Sequence, residues 1–478
     1  MLYNLIFRNI SNISNGSQAL TFLRFYIQKG EINIDVWRSL NSAITNALEH
    51  SEIEEIVEIA EVLKSNDKLT ENVANSICKQ LKNKLEHANI NQLPGAVLML
   101  CTLEAHDDSF VAHVDKLLTG NVDAESDLKS AYKNVSQLTT ESFSTICKVS
   151  HLHGHNFKNF MLAGKHFVEE NIEKFTLLEL SHVLIAFADS KDDYKILEKG
   201  SKIILQNAAK ISITELFNFM QAYSVHGGNE DLWSIFDRII GGKARILTQQ
   251  QVFKALKLFA SSNYKSTKLF MLLQFFVKDF DYTLAENCEI IRFYGEIEFN
   301  RDDIYNLMDK RLSSQILEMT ETDFLNAMIG FSNPRMDKKF KIHENIEQHI
   351  KHITPKLSLK SANSLLHRFG TQRKGSKIII NALLDRVYDI STSAEEISAY
   401  DVFMTINVFD LLGSPNQHFY PLLGRLREQV HSLDYERLSD CYEILYKRVE
   451  DEGFNTTIIA LKREIETYET NGEKKTKQ

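Results

Sequence analysis

The sequence predicts an all-α fold, an α-solenoid of stacked helix pairs with a repeat length of about 35–40 residues. Three observations predict it. A helix-start signature recurs eight times, at spacings of 35 to 40 residues. Only five prolines occur in 478 residues, and none lies between residues 95 and 333, so long helices are permitted there. No segment alternates apolar and polar residues for long enough to indicate a sheet.

The signature begins with a Ser or Thr that we expect to cap a helix, preceded by an apolar residue. An acid or amide three residues after most caps completes a capping box, because its side chain can accept from the cap's own N–H. The apolar residue before the cap and a second one five positions further on predict a hydrophobic staple, with Asn287 and Ala362 as weak members. The eight caps are Thr139, Thr176, Ser212, Thr248, Thr283, Thr320, Ser358 and Ser398.

A Phe or Tyr stands eleven residues after seven of the eight caps, and a small residue usually follows it. The first unit has Ser150 and His151 at this place instead. Turn-forming residues come next, then a second apolar anchor. Each unit therefore reads as helix A, a turn and helix B, and such units must stack to bury their apolar faces. The aromatics are Phe187, Tyr223, Phe259, Tyr294, Phe331, Phe369 and Phe409.

Residues 1–30 have a different composition from the rest of the chain. They contain Arg8, Arg24 and Lys29 but no acid, with several serines among apolar residues. This composition is typical of a mitochondrial transit peptide. A helix of the mature protein that happens to lack acids is the alternative.

The remaining chain divides into three parts. Residues 31–137 look helical but lack the signature, so we predict irregular repeats or a capping bundle there. The helical-repeat array is assigned to residues 138–470, and a polar, disordered tail to residues 471–478. The longest apolar run, residues 270–277, is far shorter than the roughly 20 residues that span a membrane.

Charge and cysteine content bear on the partners and the compartment. The chain carries a net charge of −9, and loss of residues 1–30 would leave −12. Nucleic-acid binders usually present a basic face, so this balance favours protein partners. The five cysteines are odd in number, widely spaced and without a CxxC pair, which suits a reducing compartment such as the mitochondrial matrix.

The A-helix pattern, ending in an aromatic and a small residue, resembles the heptatricopeptide-type repeats of organellar RNA-metabolism proteins and the helical arrays of FAST-kinase-domain proteins. The resemblance covers roughly residues 138–450. The sequence contains no RAP-like domain after the array, and it lacks the base-reading pairs of pentatricopeptide repeats. The resemblance implies a mitochondrial protein that acts on RNA, or an accessory subunit of a mitoribosome, respiratory complex or ATP synthase.

No catalytic, cofactor or metal site is predicted. The turn at residues 370–377 comes closest to a phosphate-binding loop, but its Lys precedes the second Gly rather than following it. The histidines at 151, 153 and 155 form the only histidine cluster in the sequence. No Cys, Asp or Glu in the same loop completes the four ligands of a structural zinc site, so a polar turn is the preferred interpretation.

One turn is locally basic, in a chain that is otherwise acidic. Arg368, Arg373, Lys374 and Lys377 are the candidate contact residues for RNA or an acidic protein. A solvated turn between two helices is the alternative interpretation.

These observations favour a non-catalytic scaffold or interaction subunit of a mitochondrial multiprotein assembly, in the matrix or at the matrix face of the inner membrane. The alternative is an organellar RNA-binding protein that acts in transcript processing, stability or translation. Neither function needs a cofactor. A continuous Lys/Arg track along one row of helices would favour RNA, whereas a mixed row would favour a protein partner.

Overall fold

The computed structural model describes residues 9–29, 34–120, 128–155, 157–188, 194–226, 229–262, 264–335, 339–372, 376–393 and 396–475. Every regular element in these ranges is a helix, which confirms the predicted all-α class. The chain forms two compact units, Met1–Ile239 and Ile240–Gln478. Among the helices of the described ranges, none is long and apolar enough to cross a membrane.

The first unit is an array of helix pairs with one extra helix, α7. Its helices are α1 (Gly16–Lys29), α2 (Ile34–Ala47), α3 (Ile53–Ser65), α4 (Glu71–Lys84), α5 (Leu93–Thr102), α6 (Asp108–Thr119), α7 (Leu128–Val135), α8 (Thr140–His153), α9 (Lys158–Asn171), α10 (Leu177–Phe187), α11 (Tyr194–Gln206), α12 (Ile213–His226) and most of α13 (Glu230–Lys243).

The second unit continues the alternation without an extra helix. Its helices are α14 (Gln249–Ser261), α15 (Thr267–Asp279), α16 (Leu284–Glu296), α17 (Asp302–Leu312), α18 (Glu321–Phe331), α19 (Lys341–Ile353), α20 (Leu359–Gln372), α21 (Lys377–Thr392), α22 (Ala399–Leu411), α23 (Tyr420–Gln429), α24 (Tyr435–Tyr446) and α25 (Glu452–Lys475). Helix α25 thus extends into the predicted disordered tail.

Like helices stack on like helices within each unit. In the first unit the A helices α1, α3, α5, α8, α10 and α12 pack in that order, and in the second α14, α16, α18, α20, α22 and α24 do the same. The B helices form a parallel row, in which α17, α19, α21, α23 and α25 pack successively. This is the α-solenoid arrangement that the repeat predicted.

Each predicted cap begins an A helix. All eight Ser and Thr side chains accept the backbone N–H three residues on, at 3.1–3.3 Å. At Thr248 the capping box is complete, because the Gln251 side chain accepts from the Thr248 N–H at 3.0 Å. The same return bond is made by Glu179, Glu215, Glu286 and Asp323.

The repeated apolar residues form the core. The residue before every cap is buried, and so are all seven aromatics at the eleventh position. The side chains of Phe187, Phe259, Phe331 and Phe369 are between 0% and 4% exposed, as expected. Where the aromatic is Tyr294, its buried hydroxyl donates to the Phe270 carbonyl of the preceding B helix at 3.0 Å, which satisfies the polar end of the ring.

A short 3-10 turn usually links helix B to the next cap. Two of these turns, Leu48–His50 and Leu85–His87, lie within residues 31–137, so the repeat plan extends into that region. The others are Ile172–Lys174, Ala208–Lys210, Ala244–Ile246, Ile316–Glu318, Thr354–Lys356 and Val430–Ser432.

The link between α15 and α16 uses a side chain in place of the 3-10 turn. Arg311 of α17 donates to the carbonyl of Phe280 and to the Oδ1 of Asn287, both at 3.1 Å. The Asn287 amide nitrogen also donates to the carbonyl of Tyr282 at 2.9 Å. Asn287 is the weak staple member because it binds this guanidinium in a place where other repeats bury an apolar side chain.

Helix α1 lies within the segment that resembles a transit peptide. Ala19 and Leu23 on its apolar face are fully buried, and Arg24 forms an ion pair with Glu58 of α3. In this fold α1 therefore packs as one of the stacked A helices of the first unit.

Candidate interaction surface

The A helices present a polar face beside their buried stripe. Counted from the cap, positions four, seven and eleven are mostly buried, whereas position nine stays at least partly accessible in each of the five A helices of the second unit that begin at a predicted cap. These position-nine residues define the A row of that unit. They are Lys257, Arg292, Ile329, His367 and Asn407.

The basic residues of the A row do not form a continuous track. Lys257 and Arg292 are followed by an apolar residue, a histidine and an amide. Each of the two also meets an acid, because Lys257 Nζ lies 3.6 Å from Glu289 and Arg292 lies 3.7 Å from Glu296. The A row is therefore mixed in chemistry and compensated in charge.

The first unit has a similarly mixed row. Position nine is Lys148 in α8, the buried Ile185 in α10 and Gln221 in α12. At other positions on these helices, the Asn218 amide nitrogen of α12 donates to the Ser181 hydroxyl of α10 at 3.1 Å. Polar groups on adjacent A helices are thus bonded to each other there.

The structure describes two of the four residues of the predicted basic turn. Lys377 is exposed at the first position of α21, and Arg373 and Lys374 lie outside the described residues. Arg368 is half-buried and points to neighbouring A helices. It donates to the hydroxyl of Ser332, the C-cap of α18, at 3.3 Å and to the Gly295 carbonyl of α16 at 3.5 Å.

The charge of Arg368 is balanced inside the array. Burial lowers the pKa of its guanidinium, and the carboxylates of Glu296 and Glu298 and the Tyr305 hydroxyl oppose that shift. Burial also raises the pKa of Glu296, against the effect of Arg292 and Arg368. Arg368 thus links three successive A helices, which sequence reasoning about the turn alone did not anticipate.

A second surface feature was missed at the sequence level. Tyr400, Tyr435 and Tyr468 are each 40–47% exposed and define, with Arg437, a tyrosine patch on α22, α24 and α25. The Arg437 guanidinium lies 5.0 Å from the centre of the Tyr400 ring, and the rings of Tyr435 and Tyr468 are 6.4 Å apart. The sequence does contain a signal for this patch, namely the high frequency of tyrosine near the C-terminal end: seven of the 16 tyrosines fall after residue 387.

Comparison with known proteins finds similarity to solved helical-repeat structures. No protein-family model matches the chain, and no curated protein matches it. The pentatricopeptide repeat protein PPR10, in a crystal structure with an 18-nt psaJ RNA element, is similar over 95% of this chain and 72% of its own, with 10% identity and a TM-score of 0.47. The structure described as PPR10 from maize gives 13% identity and a TM-score of 0.40, covering 95% of this chain and 67% of that one.

A circular tandem repeat protein with a novel repeat topology is also similar, at 9% identity and a TM-score of 0.17, over 96% of this chain and 91% of its own. The repeat architecture of the present chain is established by its own helix pairs, caps and buried aromatics.

Proposed function

We propose that this chain is a non-catalytic helical-repeat scaffold that binds other subunits of a mitochondrial multiprotein assembly. The mixed, charge-compensated A row carries the proposal. Phosphate recognition draws its affinity from Lys and Arg that are free to replace counterions. Here Lys257 and Arg292 already face acids, and Arg368 is held between helices. These three basic side chains of the described A helices are therefore not free to bind phosphates.

The tyrosine patch supports a protein partner. Tyr and Arg are enriched in protein interfaces, because they supply a large apolar area together with a polar end. The hydroxyls of Tyr435 and Tyr468 are held by Glu469 and by the Leu433 carbonyl. Rings that are fixed before binding lose little conformational entropy when a partner covers them.

The mitochondrial part of the proposal is supported by composition. The first thirty residues carry positive charge and no acid, and the array resembles heptatricopeptide-type repeats. An accessory subunit of a respiratory complex, an ATP synthase or a mitoribosome fits a repeat protein that offers binding surface but needs no cofactor.

The experiment compares complex formation by full-length variants in mitochondria. A triple variant with Tyr400→Ala, Tyr435→Ala and Tyr468→Ala is run on native gels beside the wild type and a Tyr194→Ala control. Tyr194 is 64% exposed on α11, far along the chain from the patch. We expect only the triple variant to leave the high-mass complex, with an unchanged melting profile. Wild-type protein that migrates alone would contradict the proposal.

RNA binding is the competing outcome, and purified protein distinguishes it. Single-stranded RNA is titrated at about 50 mM salt, where phosphate contacts are strongest. One variant reverses Arg373, Lys374 and Lys377 to Glu, and a control reverses the exposed Lys79, Lys82 and Lys116. A scaffold should show negligible affinity throughout. Tight binding whose salt dependence falls only in the first variant would overturn the scaffold proposal.

A further inference from the structure

One cysteine and three histidines from two different repeats meet in the first unit. Cys101 lies in α5 and His106 in the turn that follows it, whereas His153 ends α8 and His155 lies in the turn after α8. The Sγ of Cys101 and one ring nitrogen each of His106 and His155 all lie within 4.8 Å of one another. We name these four residues the Cys–His cluster.

His153 completes the cluster at slightly longer range. Its ring centre is 5.7 Å from that of His106 and 5.9 Å from that of His155, and the rings of His106 and His155 are 4.5 Å apart. The three rings thus lie close together between two neighbouring A–B turns, with the Cys101 Sγ near those of His106 and His155.

The local backbone explains why these side chains converge. Helix α5 ends with Glu104 in the left-handed region at φ 56°, and α8 ends with Gly154 there at φ 66°. Both ends are sharp reversals of the kind that terminates helices. His155 is further held because the Ser150 hydroxyl donates to its carbonyl at 2.7 Å. Ser150 occupies the place where the other repeats carry Phe or Tyr.

Two ring nitrogens of the cluster are buried and have no hydrogen-bond partner among the residues that the structure describes. They are Nδ1 of His106 and Nε2 of His155. A buried polar atom without a partner costs about 1–3 kcal/mol, so such atoms call for an explanation. Two of them within one cluster of metal-ligand residue types indicate that something binds between the rings.

The residue types of the cluster suit a cation rather than an anion. Imidazole nitrogens and a cysteine sulfur are ligands that zinc prefers, and neutral imidazole is the form that ligates metals. The Cys101 thiol would lose its proton to solvent as it binds the metal.

We propose that the Cys–His cluster is a structural Zn²⁺ site, with Cys101, His106 and His155 as ligands and His153 as the fourth. Zinc prefers four-coordinate Cys and His sites with bonds of about 2.0–2.3 Å, which places ligand atoms about 3.3–3.8 Å apart. The three mutually close donors need to approach by at most roughly 1–1.5 Å to reach that geometry.

At this position in the fold, a bound metal would stabilise the packing of two repeats. Helix α7 is inserted between these two repeats, so the A helices α5 and α8 begin 47 residues apart instead of 35 to 40. The Phe or Tyr that lies near the end of helix A in the next seven repeats is also missing from α8. A metal that joins the two A–B turns would stabilise the array where its regular packing is interrupted.

The test uses the untagged full-length chain, purified without a histidine tag and freed of metal. Co²⁺ is titrated first as a spectroscopic probe, and Zn²⁺ then competes for the site. We expect one equivalent of Co²⁺ to give tetrahedral visible bands and a thiolate charge-transfer band, and Zn²⁺ to abolish both. Zn²⁺ should also raise the melting temperature, since a ligand that binds only the folded state stabilises it.

Matched variants locate the site. Cys101→Ser should remove the charge-transfer band, and His155→Asn should weaken binding by more than the about 10- to 100-fold cost of outer-shell changes. The controls Cys147→Ser, equally buried, and His151→Asn, on the same helix as His153, should bind like the wild type. Absence of tetrahedral cobalt bands in the folded wild type would overturn the proposal. A thiolate charge-transfer band that persists in Cys101→Ser, or that vanishes in Cys147→Ser, would also overturn the proposal.

Discussion

Gly295 of α16 and Gly330 of α18 lie against each other at the closest approach of two A helices. A Cβ on Gly295 would fall 2.7 Å from the Cα of Gly330, and a Cβ on Gly330 would fall 2.6 Å from the carbonyl carbon of Ile291. Both obstacles are backbone atoms, which cannot rotate away. Gly295 is the small residue that follows the aromatic Tyr294 in the repeat, whereas Gly330 directly precedes the aromatic Phe331.

Gly330→Ala should therefore separate α16 from α18 and destabilise the second unit by about 1–3 kcal/mol, as overpacking does. Urea unfolding followed by circular dichroism measures the loss. Gly424→Ala is the control, because its added Cβ meets only the end of the Arg427 side chain, at 3.9 Å. That change should be neutral or stabilising by about 0.5–1 kcal/mol, since Ala favours helix. Equal effects at both positions would contradict the close approach.

Phe259→Ala should cost about 3–5 kcal/mol, because the ring is fully buried and its removal leaves a cavity. Hydrogen exchange should locate the loss in α14 and the helices packed on it, since repeat stability is a nearest-neighbour property. Phe275→Ala, at a ring that is 57% exposed on α15, is the control and should change little. Loss of protection spread evenly over the unit would count against nearest-neighbour coupling.

Asn287 and Arg311 should be energetically coupled. Arg311 bonds to Asn287 and to the end of α15, so removing either partner leaves a buried polar group unsatisfied. Asn287→Ala, Arg311→Ala and the double variant form a cycle whose coupling free energy should be about 0.5–3 kcal/mol. The cycle is measured by urea unfolding. Strict additivity of the two single changes would show that the bond contributes nothing.

Residues 1–30 should direct a fluorescent passenger to mitochondria. Arg8→Glu with Arg24→Glu should abolish import, because the membrane potential acts on the positive charge of the segment. Microscopy with a mitochondrial dye provides the measurement, and Ser11→Ala with Ser14→Ala is a charge-neutral control. A passenger that stays cytosolic with the native segment would refute the prediction. Because the segment is attached to a passenger, the result does not depend on the folding of the chain itself, in which Arg24 pairs with Glu58.

The sequence predicted the features of the fold that depend on neighbours along the chain. Capping of Gln251 by Thr248, burial of Phe259 and the start of each A helix all depend on spacings of three to eleven residues. Within a helix these spacings determine which side chains share a face. A pattern that recurs through the chain therefore specifies helix boundaries and buried stripes before any tertiary contact is known.

Only the tertiary structure decided what the polar residues do. Arg368 was expected in a basic turn but bonds to Ser332, 36 residues earlier. The histidines at and just after the end of α8 lacked a fourth ligand in their own loop, and Cys101 with His106 comes from the preceding repeat. Such pairings depend on how each helix is rotated about its axis and on how far it is shifted along the neighbouring helix. Those quantities follow from packing of complete side chains, so a one-dimensional pattern of apolar and polar positions does not contain them.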